Sequence, residues 1–109
     1  MDERDDRRAC CVEIFVPLRH TDGTPAPPGF LTGLQEELTR VFGGVTAFLR
    51  SPAQGRWADD GEVVADDIVI FEVMAADLDR DWWSRMRQRL EDALGQREIL
   101  IRAHPIERL

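Results

Sequence analysis

Residues 55–73 read GRWADDGEVVADDIVIFEV, and this stretch decides the fold. Asp60–Gly61 is a tight-turn pair, because both residues tolerate the positive φ that a two-residue primed turn requires. The run beyond it ends in Ile68, Val69, Ile70, Phe71, Glu72, Val73 and Met74. That run is short and rich in β-branched and aromatic residues, which predicts a strand. A strand leaving such a turn pairs antiparallel with the one that enters it. The entering strand is residues 45–50, where Val45, Ala47 and Leu49 alternate with Thr46, Phe48 and Arg50. Between them, Pro52 and Gly55 predict a break or bulge, and a slip of one residue there would move Arg50 to the opposite face.

On either side of this hairpin the hydrophobic period changes from two to 3.6. Upstream, Leu31, Leu34, Leu38, Val41 and Phe42 recur at helical spacing and Gly43–Gly44 ends the pattern, predicting a helix over residues 29–42. Downstream, Trp82, Trp83, Met86, Leu90, Ala93 and Leu94 form the stripe of a second helix, with Asp77 or Asp79 as its cap and Gly95 as its stop. Two further strands flank the helices. Residues 10–17 set Val12, Ile14 and Val16 against Cys11, Glu13 and Phe15. Residues 98–104 set Ile99, Ile101 and Ala103 against Leu100, Arg102 and His104, with Pro105 as the expected end.

The order is thus β-α-β-β-α-β. Right-handed crossovers and a shared apolar face favour an α+β, ferredoxin-like arrangement. It has a four-stranded antiparallel sheet in the order fourth, first, third, second, with two helices on one face. Residues 1–9 are expected to be a charged, disordered tail, and residues 10–109 a single domain, since 109 residues leave room for one core.

Composition excludes several functions. The net charge is −7, with 14 cations dispersed among 21 anions, so the footprint needed to displace counterions from nucleic acid is missing. The chain holds no Lys, Asn or Tyr. Without Lys there is no Walker-type phosphate loop and no Schiff base. No apolar run approaches the roughly 20 residues of a membrane span, and the charged start is no signal peptide, which points to the cytoplasm. Cys10 and Cys11 are adjacent, the wrong spacing for a redox or zinc CxxC motif, and are expected to be idle thiols. His20 and His104 fall at opposite ends of the sheet, so no metal site and no cofactor is expected.

The candidate site follows from the strand phases. With the aliphatic phase turned to the helices, the open face carries Arg102, Glu13, Glu72 and Arg50, interspersed with Phe15, Phe48, Met74, Leu100 and Thr46. Opposed charges on neighbouring strands stabilise a sheet. Aromatic side chains on an uncovered face, however, call for a cover. A second copy of the chain is the simplest one, so a homo-oligomer, a dimer through Phe15, Phe48 and Met74, is expected. Trp57, beside the turn, is a further candidate interface anchor. A small apolar or acidic molecule is the other candidate occupant, with Arg50 or Arg102 as its anion partner and Phe15 and Phe48 beside it. Proton-transfer candidates are Glu13, Glu72 and His104, the last close enough to Cys10 and Cys11 for a Cys–His pair to be considered.

The GRWADDGEVVADDIVIFEV hairpin, in this element order, resembles small bacterial proteins of ferredoxin-like fold. More loosely it resembles the dimeric α/β-barrel superfamily that includes antibiotic-biosynthesis-type monooxygenases. The likeness runs from Cys10 to Leu109 and rests on organisation. In the monooxygenase branch, cofactor-free oxidation uses an Asn with Trp residues in the cavity, and an Asn has no counterpart here. Two functions follow as expectations: a non-enzymatic homodimeric binding module using the open face, or a small cofactor-independent enzyme, monooxygenase- or isomerase-like, with a cavity on that face.

Overall fold

The computed structural model describes residues 8–20, 22–50 and 68–109, and in β2 the side chains of residues 46–48. In chain order the elements are β1 (Arg8–Pro17), α1 (Phe30–Phe42), β2 (Thr46–Arg50), β3 (Ile68–Ala75), α2 (Arg80–Leu94) and β4 (Ile101–Glu107). The strands form one antiparallel sheet ordered β2-β3-β1-β4. This is the predicted order, and it is consistent with a ferredoxin-like βαββαβ arrangement. The Asp60–Gly61 turn and Trp57 lie outside the described residues.

The two-residue period sorts the strands as expected. Val12, Ile14 and Val16 of β1 are fully buried, and Val69, Phe71 and Val73 of β3 join them. Onto this face α1 packs Leu34 and Leu38, while α2 packs Trp83, Met86, Leu90 and Leu94, so one core lies between the sheet and both helices. Burying an aliphatic or aromatic side chain of this kind contributes roughly 1.5–3 kcal/mol. Phe42 closes one end of the core, stacked on Trp83 and edge-on to Trp82 with centroids 5.2 Å away in each case.

Asp79 is the cap of α2, its carboxylate accepting the Trp82 backbone N–H at 3.1 Å. Gly43 and Gly95 end the helices in the left-handed conformation, at φ 84° and 62°. A side chain is strained there, which is why glycine marks both stops.

The strand bounds at the β1–β4 edge differ from expectation. Pro105 was to end the last strand at His104, yet β4 runs on to Glu107 and begins at Ile101 rather than at residue 98. The ladder explains both shifts. Phe15 N–H donates to the Leu100 carbonyl at 3.0 Å, which makes Phe15–Leu100 a hydrogen-bonded pair. In an antiparallel ladder such pairs alternate, so Leu100, Arg102, His104 and Ile106 turn their backbone groups toward β1. The odd-numbered residues turn theirs outward. Pro105 therefore removes no donor from the ladder, only one from the open edge, where proline is tolerated. At the start of the strand the outward N–H of Ile99 donates to Glu91 Oε2 of α2 at 3.0 Å. A helix carboxylate thus holds the chain before regular pairing begins. At the other end of the β1–β4 ladder, pairing extends β1 to Arg8, opposite Glu107.

The open face of the sheet as candidate functional site

Four strands place the candidate residues in rows. Across the middle run Arg102 (β4), Glu13 (β1), Glu72 (β3) and Thr46 (β2), each opposite the next. On one side of this row lie Leu100, Phe15, Ile70 and Phe48 in the same sense, and on the other His104, Cys11 and Met74. Arg50 pairs with Ile68, in the register that the alternation predicted for the open face. It sits four residues along β2 from Thr46 and across the sheet from Arg102. At about 3.3 Å per residue and 4.8 Å per strand, the two backbone positions are roughly 20 Å apart.

The charged centre is asymmetric. Arg102 Nε donates to Glu13 Oε1 at 3.0 Å, and its guanidinium carbon lies 5.0 Å from the centroid of Phe15. His104 Nδ1 is 3.8 Å from the same Glu13 oxygen, too long for a hydrogen bond but close enough to attract the imidazole once protonated. Glu13 thus has both Arg102 and His104 of β4 beside it. Glu72, directly opposite Glu13, has Thr46 on its other side.

Cys11 is buried between these groups, on the open face rather than in the helix-facing core. Burial pushes its thiol pKa up, and the negative charges of Glu72 and Glu13 push it further, as does a hydrogen bond to Glu72. The register sets His104 opposite Cys11, as a Cys–His pair would need. The thiol nonetheless turns to Glu72 and the imidazole leans to Glu13. An acid surrounded by carboxylates keeps its proton, so the arrangement does not make a nucleophile. The two cysteines are free thiols.

Around the charged centre the face is apolar and uncovered. Phe48, Met74 and Leu100 are 48%, 50% and 49% exposed, while Phe15, Ile68 and Ile70 are half-buried. At the β2 end of this face, Thr46, Glu72 and Met74 line a hollow of about 430 Å³ together with Phe42, Val45 and Arg108. Arg108 was not among the sequence-predicted site residues. It follows the last strand, where no periodicity says to which side the chain turns. Among the described residues no group of three or more His, Cys, Asp or Glu side chains is placed to hold a metal ion. No described helix is long and apolar enough to cross a membrane.

No protein-family model matches the chain, and no curated protein matches it. Among solved structures the chain is similar to a phage SAM lyase in complex with S-methyl-5'-thioadenosine. The TM-score is 0.52 at 12% identity, and the match covers 91% of this chain and 89% of that one. At this identity the likeness is one of fold alone, that of a small α+β fold.

Proposed function

We propose that the chain is a homodimeric binding module whose two copies meet through the open faces of their sheets. The observation that supports this reading is the half-exposure of Phe48, Met74 and Leu100 on one continuous face around Phe15 and Ile70. Three large apolar side chains on one side of a small domain form a patch of the kind that soluble proteins keep for a contact. A two-fold axis through such a face brings the same residues of both copies together. Arg102 offsets the charge of Glu13 at the centre, which lessens the cost of carrying that carboxylate into a dry contact. A small apolar or acidic molecule held between the faces, with Arg102 as its charged partner, belongs to the same reading. Sedimentation of the wild-type chain at micromolar concentration tests it. The expected species has twice the mass of the chain, and Phe48→Glu converts it to a folded monomer. A wild-type chain that sediments only as a monomer refutes the reading.

A second reading, a small cofactor-independent enzyme with its cavity on the same face, is supported by Glu72. This carboxylate lines the hollow together with Met74 and Arg108, and its strand position lies opposite Glu13. The structural neighbour named as a lyase carries a small nucleoside thioether, which is compatible with such a use of the fold. Its test is turnover: Glu72→Gln abolishes any activity found in the enzyme reading, and the same substitution leaves dimer formation intact.

A further inference from the structure

We propose a second binding site, separate from the open face, in the groove between α2 and the outer edge of β4, for a small organic anion with an apolar body. The groove encloses about 320 Å³, which is the size of a small ligand pocket. Its walls are Val12, Leu78, Trp83, Ile101 and Ala103, and its polar lining is Arg80, Ser84, Arg87 and Arg102. Among the described residues that line it none is acidic, and besides Arg102, whose guanidinium is held on the open face, two are arginines of α2, in a chain whose net charge is −7. A basic lining of this kind favours an anion.

The arginines of α2 divide between two sides of the helix. Arg85 and Arg89 line a different hollow together with Glu37 of α1, and Arg89 is ion-paired with Glu37. Arg80, Ser84 and Arg87 are spaced four and three residues apart, so they share the side that meets β4. Arg80 and Arg87 lie two turns apart, about 10 Å along the axis, a span two long side chains close around one charged group. Arg102 is committed to Glu13 and Phe15, and Arg87 makes a loose contact to Glu91, at 4.0 Å. Arg80 stands at the positive end of the helix dipole, where a cation is least favoured and an anion most.

The edge itself supplies the second half of the recognition. The alternation established by Phe15 and Leu100 turns the N–H groups of Ile101 and Ala103 outward, toward the groove. One step down the same edge the protein already binds a carboxylate in this way, for the outward N–H of Ile99 donates to Glu91 Oε2. A phosphate or carboxylate between Arg80 and Arg87 repeats that contact at Ile101 or Ala103. The half-buried Leu78, the buried Trp83 and the exposed methyl of Ala103 then take an aryl or alkyl body.

Calorimetric titration with phenyl phosphate, benzoate and inorganic phosphate tests the proposal. One saturable site per chain is expected for phenyl phosphate and for benzoate. Inorganic phosphate, which has no body to bury, should bind at least about tenfold more weakly. Arg80→Gln combined with Arg87→Gln should weaken phenyl phosphate by about tenfold or more, whereas Arg85→Gln leaves it unchanged. Ala103→Glu, which places the protein's own carboxylate in the groove, should block binding and keeps the test open if the double variant folds poorly. Phe48→Glu should leave binding intact, so failure here is distinct from failure of the dimer. Absence of saturable binding by both organic anions overturns the proposal, as does binding indifferent to Arg80 and Arg87. Binding of a short acidic peptide in place of both small anions also overturns it, in favour of strand addition to β4.

Discussion

Arg102→Ala is expected to cost more stability than Glu13→Gln, although the two residues share one ion pair. The Arg102 side chain is 59% exposed and that of Glu13 only 16%. A pair with so exposed a partner contributes about 0.5 kcal/mol by itself, and the contact of Arg102 with Phe15 adds a similar amount. Removing Arg102 also leaves the Glu13 carboxylate poorly hydrated and directly opposite Glu72. An unanswered charge in that position costs about 1 kcal/mol more, for a total of about 2 kcal/mol. Glu13→Gln behaves differently. The amide oxygen still accepts from Arg102 Nε, and the repulsion toward Glu72 disappears, so the net change stays within about 0.5 kcal/mol. Urea unfolding of both variants at neutral pH measures the difference, at one protein concentration because assembly contributes to apparent stability. The gap should narrow in high salt, since part of it is exposed electrostatics. A Glu13→Gln variant as unstable as Arg102→Ala would refute the argument, because it would mean that the Glu13 charge is stabilising in itself.

Three further outcomes are expected. Phe71→Ala removes a core ring that is 2% exposed and should cost about 3–5 kcal/mol in chemical denaturation, enough to unfold much of a domain this size. Asp79→Ala deletes the acceptor of the Trp82 N–H and should lower stability by about 1 kcal/mol, whereas Asp77→Ala should change it little. The Cys11 thiol should react with a disulfide probe near neutral pH more slowly than free cysteine does, the rate rising only on unfolding. Its folded pKa lies above its ordinary value, so the stabilisation it brings is complete at neutral pH and lost as pH climbs through the raised value. Wild type should therefore lose stability in strong alkali relative to Cys11→Ser, and equal losses in the two would count against a raised pKa.

Strand phases could be read from the sequence because one buried face imposes a period of two, and Val12, Ile14, Val16, Phe71 and Val73 obey it without exception. The rows of the open face follow from the same period once the strand order is set by handedness. The burial of Cys11 could not be read this way, since a small thiol suits either face and only the carboxylates across the strands decide its state. Nor could the groove beside β4. The spacing of Arg80, Ser84 and Arg87 was visible, but a row of arginines on a helix reads as a solvated face until the strand it meets is known. Two residues carried the missing signal. Ala103 is a small side chain in the aliphatic phase, where Ile99 and Ile101 are large, so the helix layer has nothing to grip there. Pro105 lacks the one donor that an interior strand must supply, so it belongs on an edge. Together they say that the last strand is bordered by an incompletely filled space rather than by another strand. They do not say that its opposite wall is basic, because that depends on the rotation of α2, which Trp83, Met86 and Leu90 settle only once the core is packed.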